Sequence, residues 1–291
     1  MSALRDKAAL AVGALDGRLS GHPLAAAWAC RRRLTAAVAG AAADGIKVDA
    51  DRLVRLLVGL PMVRMIDGGA ESSALRVYDT VADPGTAAEM VMGFVTEPSI
   101  RGACRAVAEA SENGLPRSSG HAAFGTVLHG MGLTEGVLVG VSPVGAGEAL
   151  ANLESSAVRG RRDLDTLSLN WTMWTRLLGK RRSTSRHLRV LAVVATMTAA
   201  APAHVARLTG MTARGAAMLM EEMAALGILR ELSDRESWKV FVCRDMPVGA
   251  GEGASPPMKP EVMVPDMGGL FGDVDRAMAA VSRRLSAIPG P

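Results

Sequence analysis

The stretch Pro202-Ala203-His204-Val205-Ala206-Arg207-Leu208-Thr209-Gly210-Met211-Thr212-Ala213-Arg214-Gly215-Ala216-Ala217-Met218-Leu219-Met220 decides how this chain reads. Pro202 has no backbone N–H to satisfy, so it suits the start of a helix. Val205 falls on the inward face of that helix, and Ala206 is small where a second helix must cross closely. Gly210 occupies a turn that favours positive φ. Met211 is expected beneath the turn, and Thr212 offers a hydroxyl that caps the second helix. Ala216 and Leu219 then return to the core. Together these positions make the pattern of a helix-turn-helix.

The flanks extend it. Upstream, residues 186–197 predict an apolar helix built on Leu188, Leu191, Val194 and Ala195. Downstream, the second helix runs to Leu226 and stops at Gly227. Ile228–Leu232 reads as a strand, Ser233–Ser237 as a polar tip, and Trp238–Cys243 as a second strand made of β-formers. Three helices and a β-hairpin predict a winged helix-turn-helix over residues 184–246. In such a fold the second helix of the motif enters the major groove, and its early outward residues meet base edges. Those positions are Thr212, Ala213, Arg214 and Met218, with Gly215 and Ala217 between them. Arg214 is the strong reader, suited to guanine O6 and N7. Thr212 suits a phosphate or a thymine methyl. The tip offers Arg235, with Lys239 nearby, against Asp234 and Glu236. Glu221 and Glu222 lie farther along the helix and repel phosphate wherever they face it.

Residues 184–245 hold eight basic and six acidic residues, which is thin for an independent DNA reader. The chain as a whole is only +4 over 291 residues, but that charge is unevenly spread. Between Arg159 and Arg189 stand nine basic residues against Asp163 and Asp165, a window of +7. The remaining 24 basic and 27 acidic residues leave −3. All of the net positive charge lies just before the helix-turn-helix, an electrostatic footprint for phosphate. Arg176, Lys180, Arg181, Arg182, Arg186 and Arg189 are expected to supply backbone attraction there. Arginine is common throughout, with 28 Arg to 5 Lys beside 49 Ala, so a solvated arginine-rich connection is the competing explanation. Trp171 and Trp174 interleave the window at helical spacing, either anchoring that helix to a core or stacking on bases.

The first half of the chain reads as helices. Leu4, Ala8, Ala11, Leu15 and Leu19 recur at one-face spacing over 2–19, and a second helix over 24–43 follows Gly21-His22-Pro23. The triplet Arg31-Arg32-Arg33 reads as an anion-facing or surface turn of that helix. Asp49 is expected to cap a short helix carrying Leu53, Leu56 and Leu57. Residues 73–82, 85–95 and 98–112 follow as helices, and Asn113-Gly114 as a turn. Residues 114–150 are punctuated by Gly130, Gly132, Gly136, Gly140, Gly145 and Gly147. Within them Val137–Val141 has the composition of a strand. Val144–Leu150 has neither the Gly-Lys-Ser/Thr nor the GxGxxG spacing of a phosphate loop and reads as a plain loop. Beyond Asp245, Pro247–Pro257 has linker composition, and Phe271–Ile288 is amphipathic through Val274, Met278, Val281 and Leu285. The predicted organisation is mainly α: a helical N-terminal domain (1–157), a basic connecting helix or linker (158–183), the winged helix-turn-helix (184–246), and a Gly/Pro linker with an amphipathic segment (247–291).

Taken whole, the chain resembles a family of bacterial proteins, frequent in alphaproteobacteria of the rhizobial type and on their plasmids. They pair an uncharacterised helical N-terminal domain with a C-terminal helix-turn-helix DNA-binding domain. The resemblance rests on Leu15-Asp16-Gly17-Arg18-Leu19, His22-Pro23, Trp28 with the arginines 31–33, Gly45–Leu57 with Val48-Asp49, and the helix-turn-helix stretch. It covers most of 10–80 and 185–243. The winged helix also resembles a domain appended to some Fic proteins, but the Fic motif His-Pro-Phe with Gly-Asn-Gly-Arg is absent, so AMP transfer does not carry over. What the resemblance implies is DNA binding.

Other classes find less support. With 49% apolar residues disorder is not expected, and Cys30, Cys104 and Cys243 lie too far apart for a disulfide scaffold or a zinc site. No signal-peptide core or spanning apolar run is read, so a cytoplasmic location without membrane contact is expected. His121, His129 and Glu135 lack HExxH or HxH spacing, so no enzyme, metal or cofactor is expected. The expected function is double-stranded DNA binding by a homodimer, serving transcriptional regulation, with the N-terminal domain as a possible partner surface. The alternatives are a protein-interaction module using Ala213, Ala217 and Met218, and a replication or partition factor of a mobile element.

Overall fold

An alanine-rich chain with 3% aromatic residues lets helices approach closely around a few large buried side chains, Trp28, Trp174, Phe124 and Phe241 among them. The computed structural model describes residues 2–58, 68–144, 148–179, 184–233 and 239–246. Among them it is mainly helical, with one small antiparallel sheet. The helices are α1 (Ser2–Leu19), α2 (Ala25–Ala43), α3 (Ala50–Leu57), α4 (Gly68–Ala82), α5 (Gly85–Met92), α6 (Ile100–Glu112), α7 (Arg117–Gly130), α8 (Ala149–Leu178), α9 (Thr184–Ala195), α10 (Pro202–Thr209) and α11 (Ala213–Ala225). The strands are β1 (Leu229–Glu231) and β2 (Phe241–Cys243). The chain divides into two compact units, Met1–Leu57 with Pro61–Asp165, and Thr166–Pro291 with Val58–Leu60. The division falls within α8, inside the segment 158–183 expected to connect two domains.

In the first unit α7 is the central helix, packing against α2, α4, α5 and α6. Its Ala123, Phe124, Val127 and Leu128 are fully buried. Sequence periodicity had left this stretch unassigned, because glycine disfavours helix and α7 contains three glycines plus Gly120's neighbour Ser119 in a polar first turn. One of those glycines has a positive role. A Cβ on Gly125 would stand 2.0 Å from the carbonyl oxygen of Leu138, so segment 138–141 lies directly on α7. That contact corrects the strand expected at Val137–Val141. The residues form no ladder; Leu138 and Val141 are buried singly in an irregular segment held against the helix. The α1 face comes out in part: Ala8 and Leu15 are buried, Leu4, Ala11 and Leu19 are half-buried, and Val12 takes an interior place that the expected face did not include. Asp49 accepts from the Asp51 N–H at 3.0 Å at the start of α3. Ser99 caps α6, accepting from Gly102 at 3.0 Å. α4 begins at Gly68 rather than at 73, since Gly68-Gly69-Ala70 carries no apolar signal, and α5 stops at Met92 rather than 95.

Polar ties of long sequence separation close this unit. The Trp28 indole N–H donates to the Gly160 carbonyl at 2.8 Å. Asp16, 8% exposed, accepts from the backbone of Glu135 at 2.6 Å and of Gly136 at 3.2 Å. Arg18 pairs with Asp165. Arg32 is 4% exposed, and its Nη1 donates to Asp163 at 2.9 Å while Nη2 donates to the Gly140 carbonyl. The Arg31–Arg33 turn is therefore not a surface turn throughout: its middle residue is a buried cation facing the Asp163 carboxylate. Burial pulls that guanidinium below its ordinary pKa, against the opposing pull of Asp163.

In the second unit α9, α10 and α11 pack together, and α11 leads into β1. Val190–Ala195, Val205, Ala216, Met220 and Met223 are fully buried or nearly so. β1 and β2 pair antiparallel with Leu229 opposite Cys243 and Glu231 opposite Phe241. Ala200, in the connection from α9 to α10, makes an isolated bridge on the same strand, its N–H reaching the Phe241 carbonyl at 2.8 Å and its carbonyl receiving the Phe241 N–H at 2.9 Å. The sequence reading had no element there. Leu219, expected in the core, is half-buried, and Met220 takes the interior position instead. Among the described residues no helix is long and apolar enough to cross a membrane.

Candidate nucleic-acid interface

The surface of the second unit is set by how α11 begins. Gly210 closes α10 in the left-handed region at φ 72°, which reverses the chain without the penalty a side chain would carry there. Thr212 follows in extended conformation, and its hydroxyl accepts from the Gly215 N–H at 3.1 Å. Both features match the residue-level expectation. The cap fixes the rotation of α11, so Ala216, Met220 and Met223 point inward. Thr212, Ala213, Arg214 and Met218 are then exposed, Met218 to 62%, and Ala217 is half-buried. Four sequence-predicted contact residues are thus exposed, Thr212 at the cap and Ala213, Arg214 and Met218 along α11. None of the described carboxylates pairs with Arg214.

The acidic residues farther along α11 are engaged. Glu221 accepts from the Lys239 ammonium at 2.8 Å. Glu222 lies 3.0 Å from Nε2 of His187, which is 4% exposed at the base of α9. Lys239, expected to serve phosphate, lies two residues before β2 and donates to Glu221, a bond that any phosphate contact has to share or displace. The His187–Glu222 pair was missed, as its residues lie 35 positions apart with no local pattern between them.

Arg186 and Arg189 are exposed on α9, three residues apart and so on one face. Arg176 is exposed near the end of α8. Arg207 on α10 and Arg244 after β2 are also exposed and went unassigned in the sequence reading. Arg207 was findable, since it is the outward residue between the buried pairs Val205-Ala206 and Leu208-Thr209. Lys180, Arg181, Arg182 and Arg235 lie outside the described residues, as does the 247–291 segment. The basic window is divided between the units: Arg159, Arg161 and Arg162 are exposed on α8 in the first, Arg176 onward belongs to the second. Its two acids are taken up by α1 and α2, Asp165 by Arg18 and Asp163 by Arg32. Trp171 and Trp174 are each 2% exposed, so they anchor α8 and present no face for a base to stack on.

In the first unit, His129 Nδ1 lies 3.1 Å from the Thr134 carbonyl, a loop tie. His121 is held at a pKa of about 4 by burial, with Asp44 pulling it up and Arg117 pushing it down. The described residues hold no group of three His, Cys, Asp or Glu arranged for a metal ion. No protein-family profile and no curated protein matches the chain.

Proposed function

We propose that residues 184–246 are a winged helix that binds double-stranded DNA, with α11 in the major groove, in a protein that regulates transcription as a homodimer in the cytoplasm. The observation that carries this reading is the Ala200–Phe241 bridge. It adds a third backbone segment beside β2, between the first and second helices of the trio, and gives the order helix, bridge, helix, helix, strand, strand. The exposed side of α11 supports it: small residues that allow close approach, and one unpaired arginine, Arg214, suited to a guanine edge. Arg176, Arg186 and Arg189 offer sequence-independent attraction.

Titration of the full chain against duplex DNA tests the reading. Affinity is expected to fall steeply between about 50 and about 200 mM salt. Absence of binding at the lower salt, or a flat salt response, overturns it. Arg214→Ala should cost about 1–3 kcal/mol on a preferred site and relax the preference there. Joint replacement of Arg186 and Arg189 by Ala should instead weaken every sequence alike and lower the salt slope by about 2. The 62% exposure of Met218 favours a second reading, a protein-docking surface. A partner retained after nuclease treatment and in Arg214→Ala, but lost in Met218→Glu, selects it.

A further inference from the structure

The first unit contains a cavity of about 200 Å³ bounded by α2, α7, α8 and the segment around Gly140. Its polar lining is unusual in what remains unpaired. Arg32, only 4% exposed, uses Nη1 on Asp163 and Nη2 on Gly140, and its Nε–H has no acceptor among the described residues. Asn152 Nδ2 on α8 and His121 Nδ1 on α7 are likewise buried without partners. All three residues line this one cavity. Arg159 stands at its edge, exposed and without a described carboxylate partner. Among the described lining residues none is a carboxylate; Asp163 is already on Arg32, and Asp44 acts on His121. Ser156 has donated its hydroxyl hydrogen to the Gly140 carbonyl at 3.1 Å and turns only lone pairs elsewhere.

We propose that this cavity binds a small oxyanion, the carboxylate or phosphate group of a metabolite-sized molecule. An unmet buried donor is costly to a fold, and two fixed donors on residues lining one space, with a ring nitrogen that donates in one tautomer, ask for an acceptor of several lone pairs. The Arg159 guanidinium supplies the matching charge, while Arg32, balanced by Asp163, contributes its Nε–H. Arg32 Nε and Asn152 Nδ2 are the recognising donors, His121 in its neutral form adds a third through the tautomer bearing hydrogen on Nδ1, and Arg159 closes the open side. The volume suits a ligand smaller than a nucleotide. The inference stands apart from DNA binding, since every residue it uses lies in the first unit.

Calorimetric titration of the full chain tests it with inorganic phosphate and succinate as probes, each against sodium chloride at equal ionic strength. Saturable binding of one probe is expected, with a rise in melting temperature of a few degrees. Phosphate alone points to a phosphate-bearing ligand, succinate alone to a carboxylate. Asn152→Asp, which puts a like charge into the cavity at almost constant volume, should weaken binding at least tenfold. Arg159→Glu, a change at an exposed position that the fold tolerates, should do the same and decides the matter where Asn152→Asp does not fold. No binding of either probe above the chloride control means that the cavity holds water only and overturns the proposal; so does binding that both variants leave unchanged.

Discussion

The two units are closed by different means. The first is fastened by polar ties between residues more than a hundred positions apart: Trp28 to Gly160, Asp16 to Glu135 and Gly136, Arg32 to Asp163 and Gly140. The second closes through apolar side chains such as Leu191, Val194, Met220, Met223 and Phe241, its ion pairs running over the rim of α11. Burial stabilises both; the first hides the Arg32 guanidinium and the Asp16 carboxylate on long-range partners, whereas the second hides the His187 ring against Glu222. A single substitution should therefore cost more in the first unit, and should show more in binding than in stability on the outer side of the second.

The largest contrast sits at two glycines. Gly125→Ala drives a methyl into the Leu138 backbone, which must shift as a whole, so a loss of about 3 kcal/mol is expected. Gly210→Ala strains one left-handed residue in the second unit and should cost about 1 kcal/mol. Denaturant unfolding of the full chain, followed separately through each unit, measures both. Equal costs would show that close approach on α7 is not what holds the first unit.

Acid should also find the first unit. His121 folds with a pKa near 4, against an ordinary value near 6.5, because burial disfavours its cation. Below about pH 6.5 the unfolded chain takes up a proton that the folded chain refuses until about pH 4. Its contribution is full above pH 6.5 and falls as pH drops toward 4, by about 3 kcal/mol. His121→Gln should flatten that part of the stability profile; parallel profiles for the two proteins would refute the assignment. Asp163→Asn comes next, leaving the Arg32 guanidinium buried without its counter-charge at a cost of about 2 kcal/mol. Arg18→Ala, which opens the solvent-exposed pair with Asp165, should stay under about 1 kcal/mol.

The same difference explains what could be read from sequence. The Thr212 cap, the Gly210 turn, the stop at Gly227 and the pairing of two β-rich runs are local patterns, settled within a few residues of themselves. The Ala200 bridge is not, because one paired residue in a run of alanines has no period to betray it. Arg32 shows the limit on a helix. Successive residues point about 100° apart, so one arginine of three must face differently from the others, and only Asp163, 131 positions on, decides which. Alanine compounds this, fitting equally inside and outside. The cavity residues were visible singly, His121 among them, but nothing in their spacing joins Arg32 to Asn152.

The smallest change in stability should accompany the most telling change in binding. Glu221 lies on the exposed side of α11, where its bond to Lys239 joins two solvent-facing groups. Such a pair is worth little to the fold, so Glu221→Gln should move stability by less than about 0.5 kcal/mol. If α11 enters the major groove, the same substitution removes a carboxylate that repels phosphate and releases the Lys239 ammonium from it. DNA affinity should then rise roughly threefold to tenfold at low salt and return toward the parent value as screening increases. The gain must be independent of sequence, since Glu221 sits beyond the turn that carries Arg214. If stability stays fixed and affinity is also unmoved at low salt, α11 does not face the phosphate backbone, and the exposed Met218 side is left to a protein partner.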